Sequence, residues 1–434
     1  MNDHTGSGDE LNVSGRLKRL IKANQSLANL ESLDALLPQL LDLAQEVTGA
    51  EASSILLYNS ERKVLEFALA KTEGLGQGTE QILKSCVELK LGEGLAGCVA
   101  ANRQPLIIQD VQADSRFFRQ ADLHTGFCTR TLLCVPIVYG DELLGVIEVL
   151  NSKEKPCFDA EDQELLDSFA QLAAVAIIRS RLLDTQLKQQ RLQVELEAAS
   201  QIQSLFWPEC PDLGGGSNAW AVSLPAAFVG GDLYDLIPMP DGSWLAYVAD
   251  VCGKGLPAAL IMGALWTRIR SEALAHGEVD RLLERVNHTM YSLLAKEGFF
   301  ATIIIGKYWP TSGRMQLARG GHLIPVWIVG GDIGNVPDMQ GIPLGIIPSP
   351  DYQTKEILLE PGQSILFITD GVTEARNEQD ELFDHRRIVN CIRTATGPPW
   401  GNCLVDAVKT WRGNAEASDD LTILEIWRAP TGVG

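Results

Sequence analysis

Asp250 ends the apolar run Trp244 to Ala249 and is followed by a turn through Gly253 and Gly255 into a segment opened by Pro257. Leu245 to Ala249 shows no polar alternation, the pattern of a strand covered on both faces. An unpaired ionised group at the end of such a strand is costly enough to force a pKa shift, a partner or a metal. No Lys or Arg lies on the run, so Asp250 is expected to be a metal ligand. Three more carboxylates occupy comparable places. Asp232 follows Val229-Gly230-Gly231, Asp370 closes Ser364 to Thr369 ahead of Gly371, and Asp419 with Asp420 precedes Leu421 to Ile426. Carboxylates converging from separate strand ends suit hard divalent cations, Mg²⁺ or Mn²⁺. Two such ions ~3.5–4 Å apart lower the pKa of a bridging water and clamp a phosphoryl group for in-line attack. A lone Asp-Gly is more often a hairpin turn, the reading given to Asp241-Gly242 between Leu236-Ile237-Pro238 and Ser243-Trp244-Leu245. It is the set of four that points to chemistry.

The elements that must position these groups lie in the C-terminal half. Strands are expected at Trp244 to Ala249, Ala301 to Tyr308, Met315 to Ala318, Leu323 to Val329, Glu356 to Glu360, Ser364 to Thr369 and Leu421 to Trp427. Leu256 to Ala275 is apolar nearly all round in its first half and is expected to be a buried helix, at a dimer contact if one exists. Leu282, Leu283, Val286, Met290, Leu293 and Leu294 stripe a second helix, and later helices fall near Ile388 to Thr394 and Cys403 to Trp411. The expected architecture is a β-sandwich with helical layers outside it.

Residues 206 to 430 resemble a PPM-type (type 2C) protein serine/threonine phosphatase of the bacterial branch that controls sigma-factor partner switching. The resemblance rests on Val229 to Asp235, Ala249 to Gly255, Phe299, Ala301 and Thr302, Gly320-Gly321-His322, Pro343-Leu344-Gly345, Thr369 to Ala375 and Asp419 to Thr422. It implies that Asp250 and Asp232 are the catalytic carboxylates and that Asp250 bridges two Mn²⁺ or Mg²⁺ ions with help from the Val251 carbonyl. Asp232, Asp370 and Asp419 would complete the shells. Asp235, Gly371 and Asp420 are outer-sphere candidates, and His322 a further turn or supporting residue. Lys254 and Gly320 stand where the family often has His and Ala, which leaves every ligand in place. The implied reaction is hydrolysis of a phosphoserine or phosphothreonine without a covalent enzyme intermediate. The implied partner is a phosphorylated anti-anti-sigma-type protein. The competing reading is a catalytically inactive phosphatase fold that only binds.

The chain of 434 residues is long enough for two or three domains. Its net charge of -20 argues against binding a nucleic acid backbone or an anionic membrane. The nine cysteines form no Cys-x-x-Cys pair, so neither a disulfide framework nor a zinc site is indicated. The start of the sequence lacks the pattern of a signal peptide, and no apolar run is long enough to span a bilayer, giving a cytoplasmic expectation. Gly253-Lys254 does not belong to a phosphate-binding loop, because Val248 and Gly255 occupy positions that need Gly and Ser or Thr. No His lies between His124 and His276, which removes a phosphoacceptor of the histidine-kinase kind from the linker.

A flexible tail is expected over residues 1–12, and helical spacing from Ser14 through Leu17, Leu20, Leu27, Leu30, Leu37, Leu41 and Leu43. Strands follow at Ser53 to Tyr58, Lys63 to Ala68, Leu106 to Asp110, Leu132 to Val138 and Leu144 to Leu150. With Gly94 to Gly97, Ile108 to Val111, Thr125-Gly126-Phe127 and Leu133 to Pro136, the segment from about residue 25 to 182 resembles a GAF sensor domain. The resemblance implies an α/β fold over 13–182 and a small-molecule ligand whose identity the sequence does not fix. The cyclic-nucleotide signature of that family is met at Asn151, Phe158 and Asp162, while Ser152 and Gln163 depart from it. Residues 183–210 are expected to be a coiled-coil-like linker. The run Ala160 to Leu205 has almost no helix breaker, and its seam of Phe169, Leu172, Leu182, Leu192, Leu196 and Ile202 suits pairing with a twin in a homodimer. The phosphatase-like domain would then occupy 211–430.

Overall fold

The computed structural model of the chain describes residues 33–72, 88–275 and 278–430. The tail and the first turns of the entry helix expected before Leu33 lie outside the described residues. The chain forms two compact units, Met1–Gln190 and Arg191–Gly434.

The N-terminal unit runs α1 (Leu33–Thr48), β1 (Ala50–Asn59), β2 (Val64–Thr72), β3 (Glu88–Lys90), α2 (Gly94–Asn102), β4 (Leu106–Ile108), α3 (Gln120–Thr125), β5 (Leu132–Tyr139), β6 (Glu142–Ser152) and α4 (Ala160–Ser204). The strands form one antiparallel sheet in the order β3-β2-β1-β6-β5-β4. Alternation splits its apolar residues between two faces. Ile55, Leu133, Val135, Ile147 and Val149 pack on Leu40 and Leu41 of α1 and on Leu166, Ala170 and Ile177 of α4. Leu56, Leu65, Leu132, Cys134 and Val146 pack on Leu95 and Val99 of α2.

Helix α4 is continuous for 45 residues. Its start is capped reciprocally: Asp159 Oδ1 accepts from Asp162 N at 3.1 Å and Asp162 Oδ2 from Asp159 N at 3.1 Å. Past the sheet the helix keeps Leu182, Leu187, Leu192, Val194 and Ile202 exposed.

The C-terminal unit continues with β7 (Asp212–Gly214), β8 (Ser217–Leu224), β9 (Asp232–Pro238), β10 (Trp244–Val251), α5 (Leu256–Ala275), α6 (Val279–Glu297), β11 (Ala301–Trp309), β12 (Arg314–Gly320), β13 (Val326–Val329), β14 (Asp332–Ile333), β15 (Thr354–Leu358), β16 (Ser364–Ile368), α7 (Asp370–Thr373), α8 (Asp384–Thr394), α9 (Trp400–Arg412) and β17 (Leu421–Arg428). Two antiparallel sheets, β15-β12-β11-β10-β9 and β14-β13-β16-β17-β8-β7, pack face to face. Tyr234, Leu236, Ala246, Val248, Ile304, Phe367 and Leu424 fill the space between them. The outer face of the first sheet carries α5 and α6, and that of the second carries α8 and α9.

Helix α5 differs from expectation. It buries Ala258, Met262, Leu265, Ile269 and Ala273, yet Leu260 and Leu274 are each 68% exposed. A single helical layer over a sheet can bury only one stripe, and the remaining apolar residues face outward.

Candidate metal centre

Strand parity sorts the acidic residues. On β10, Leu245, Tyr247, Ala249 and Val251 point to the helical layer, whereas Ala246 and Val248 point between the sheets. Asp250 shares the parity of the second group and ends it at the sandwich edge. On β9, Tyr234 and Leu236 point between the sheets and Asp232 continues their row; Leu233 and Ile237 point to the helices, and Asp235 shares their side. Asp232 and Asp250 stand directly opposite each other in the β9–β10 ladder, which sets their Cα atoms roughly 4.5–5.5 Å apart. Like charges so placed repel.

From the facing sheet, Thr369 follows β16 and donates its hydroxyl to Asp232 Oδ2 at 2.8 Å. Asp370 opens the short helix α7 directly after it. Asp419 and Asp420 lead into β17, paired with β16. The electrostatics join the group. Burial first, then repulsion by Asp370, Asp419 and Asp420, pushes the Asp250 carboxyl up to about 7. Burial, then Asp250 and Asp420, drives Asp232 well above the usual carboxylate range. Burial, then Glu374 and Asp419, raises Asp370. One ammonium relieves this crowding: Lys254 Nζ lies 3.3 Å from Asp419 Oδ2, bonds the Ser418 carbonyl, and lowers Asp250.

The backbone approaches closely here, and two glycines are required by it. A Cβ on Gly231 would meet the Val251 carbonyl at 2.6 Å, and one on Gly371 would meet the Asp420 carbonyl at 1.9 Å. Asp420 itself is spent on holding the loop before β9, accepting from Ala226 N at 2.8 Å and Gly231 N at 2.7 Å.

The donor set is all oxygen, as hard divalent cations prefer. Among the described residues, no three His, Cys, Asp or Glu side chains stand close enough to enclose one ion. Mg²⁺-like ions bind through one or two carboxylates and keep several waters, so a pair such as Asp232 and Asp250 fits that demand without a closed cage.

Other expected residues have structural employment. Asp235 is fully buried and makes a two-pronged pair with Arg270 of α5, 2.7 Å to Nε and 2.8 Å to Nη2, with the Tyr247 hydroxyl at 3.3 Å. It stands on the opposite face of β9 from Asp232. His322 is buried, with Nδ1 2.7 Å from Thr302 Oγ1 and Nε2 3.0 Å from the Ile368 carbonyl, and burial lowers it to about 4. It is neutral and held at both nitrogens. In the N-terminal unit, Asn151 accepts from Arg130 N and Thr131 N and donates to Glu51 and to the Cys128 carbonyl. Phe158 is packed in the core beneath α1 and α4, and Asp162 caps α4 and pairs with Lys155. None of these three lines the aromatic cavity of that unit.

Sequence reading passed over Thr369 and Gln203. Thr369 carries a signal, since it has the parity of Ile365 and Phe367 and so points between the sheets. Gln203, in the last turn of α4, is 4% exposed and clasps the backbone of one residue from both sides: Nε2 donates to the Gly230 carbonyl at 2.7 Å, and Gly230 N donates to Oε1 at 3.1 Å. Phe206 follows it, 4.9 Å from Trp266 of α5 ring to ring.

Residues 240–428 match the family model for stage II sporulation protein E, SpoIIE, and residues 31–178 match the model for the GAF domain. Protein IcfG of Synechocystis sp. is 27% identical over 272 residues, which cover 54% of this chain and 42% of that protein. The chain thus spans less than half the length of that relative. The SiaA-PP2C domain of Pseudomonas aeruginosa is 25% identical, with 56% of this chain and 98% of that one covered and a TM-score of 0.47. The RsbU and RsbW domains of a Mycobacterium tuberculosis protein are 27% identical, with 52% and 63% covered and a TM-score of 0.44.

Proposed function

We propose that this chain, which joins a GAF domain to a SpoIIE-type (PP2C) phosphatase domain, is a metal-dependent protein serine/threonine phosphatase. The observation that carries the reading is the cross-strand pair Asp232 and Asp250, crowded by Asp370 and Asp419 with one ammonium beside them. Divalent cations held by that pair supply an acidified water and neutralise phosphoryl oxygens. Asp250 and Asp232 present their carboxylates, Asp370 and Asp419 stand as further oxygen donors, and Thr369 fixes the orientation of Asp232. The Val251 carbonyl lies against Gly231 beside this edge and is the backbone oxygen we assign as a further donor. Asp420 and the two glycines hold the loops that let these groups approach. Lys254, exposed at the rim, is the group that meets the incoming phosphate. His322 has both nitrogens engaged, so it is assigned a structural part, and attack by water is the reaction the family resemblance implies.

The SpoIIE match supports a phosphoprotein substrate in a sigma-factor pathway, and we assign it as anti-anti-sigma-type. A cytoplasmic setting belongs to the same reading; among the described residues no helix is long and apolar enough to cross a membrane. The exposed Leu182, Leu187, Leu192, Val194 and Ile202 of α4 support a homodimer formed through that helix. Gln203 on Gly230 and Phe206 on α5 are the contacts through which the sensor would bias the acidic pair by a population shift.

The test is hydrolysis of p-nitrophenyl phosphate and of a phosphoserine peptide with Mn²⁺, with chelator, and by Asp250→Asn. Turnover is expected only in the first. Equal rates in all three would overturn the metal assignment, and partner binding without turnover would select the inactive binding module. A chain starting near Gly214 should lose both dimerisation and regulation.

A further inference from the structure

The sheet face of the N-terminal unit that carries α2 holds a cavity of about 90 Å³. Ala52 and Ser54 of β1 and Glu148 and Leu150 of β6 form part of its floor, as the register requires: Ala52 pairs with Leu150 and Ser54 with Glu148. Phe67, Phe117, Phe118 and Phe127 supply aromatic walls. Among the described residues its ionisable lining groups are two carboxylates, Glu148 and Asp122, and no Lys, Arg or His is among them.

Glu148 has no structural reason to be charged. It is 8% exposed in the middle of an apolar strand, accepts from Ser54 Oγ at 2.9 Å, and is bonded by the Cys134 thiol, a weak donor. No basic side chain pairs with it among the described residues. Burial accordingly raises its carboxyl. Asp122 is oriented by Thr129, which donates its N–H at 2.9 Å and its hydroxyl at 2.7 Å. Two other buried acids have firmer partners: Asp235 has Arg270, and Glu425 accepts from Ser364 Oγ and Gly401 N at 2.8 Å each.

We propose that this cavity binds a small organic cation, an alkylammonium whose nitrogen meets Glu148 and whose apolar body lies among the phenylalanines. The chemistry of the lining selects that class. A buried carboxylate is stabilised by a cation that replaces its lost hydration. Aromatic faces attract the same cation. An anionic ligand such as a cyclic nucleotide would meet two acids and, among the described residues, no basic group to offset them. At about 90 Å³, against the ~150 Å³ of a cavity that admits benzene, its inner part suits a body the size of a short branched alkyl group.

The proposal concerns the GAF unit and does not depend on the phosphatase assignment. It is tested on the full chain by ligand-observed NMR titration with three probes of one shape: isobutylammonium, isobutanol and isobutyrate. The cation is expected to bind about tenfold or more tighter than the alcohol, the worth of one charge-assisted hydrogen bond, and the anion not to bind. Glu148→Gln, which keeps the shape, should bring the cation down to the level of the alcohol. Ala70→Leu should exclude both, because Ala70 lines the cavity. Asp122→Asn gives a second variant in case Glu148→Gln fails to fold, and should weaken the cation severalfold. No cation binding to the unaltered chain, equal binding of cation and alcohol, or an unchanged cation affinity in the carboxylate variants would each overturn the proposal.

Discussion

Asp232 and Asp235 lie three residues apart on one strand, both buried, and they do opposite work. Asp235 points to the helical layer, where the Arg270 guanidinium grips both its oxygens. Asp232 points between the sheets and faces Asp250, with, among the described residues, only the neutral hydroxyls of Thr369 and Thr422 as side-chain donors there. A charge with a partner belongs to the fold, whereas a charge placed against another of the same sign works against it. The second arrangement is offset in part by Lys254 and by protons held on the raised carboxyls, and a bound cation would offset the rest. Strand parity is what separates the two cases, and sequence distance is not.

The comparison can be broken from either side. The largest effect is expected from Asp250→Asn. Losing an outer partner of a metal site costs roughly 10–100-fold in affinity or activity, and losing a carboxylate of the central pair should cost more, in kcat for a phosphoserine peptide. Its thermal midpoint in chelator should hold or rise, because a repulsion is removed. Arg270→Met should do the reverse and destabilise by about 3–5 kcal/mol in denaturant titration, since it strands the Asp235 carboxylate in the interior. Adding Asp235→Leu should recover most of that loss, with turnover retained. If Arg270→Met costs nothing, the division of labour on β9 is wrong.

Smaller effects sharpen the same contrast. Thr369→Val removes the donor that orients Asp232 and should weaken Mn²⁺ about tenfold by calorimetry, with little change in fold. The smallest effect is in pH dependence. Asp250 is raised to about 7 in the folded chain, against ~3.9 when unfolded. The folded state therefore holds this proton more tightly, and the stability it gives below the unfolded value is lost as pH rises through about 7. In chelator the thermal midpoint should fall between about pH 4 and 7. Saturating Mg²⁺ should flatten that fall, and Asp250→Asn should make it shallower.

Much of this edge was legible in the chain. Apolar runs ending in Asp, with glycines beside them, mark Asp232, Asp250, Asp370 and Asp419 because a buried strand tolerates a carboxylate only where something else meets it. The employment of Asp235 was not legible, since its partner lies 35 residues away on a helix and no local pattern links them. Gln203 was hidden for the same reason, 27 residues from the backbone it clasps. Glu148 illustrates a different gap. Alternation on a strand ordinarily assigns a lone Glu to solvent, and only the covering of the second sheet face by α2 turns it into an interior acid. Helix α5 shows the converse, where apolar composition overstated burial within the chain because, among the described residues, its outer stripe stays exposed.

The central claim is that the edge between the two sheets holds divalent cations on Asp232 and Asp250. Isothermal titration of the chelator-treated full chain with Mn²⁺, beside Asp250→Asn and Asp235→Asn, tests it most directly. The account predicts saturable binding that Asp250→Asn abolishes or weakens more than about a hundredfold, with Asp235→Asn close to the unaltered chain. Binding that survives Asp250→Asn, or is lost equally in both variants, would contradict it.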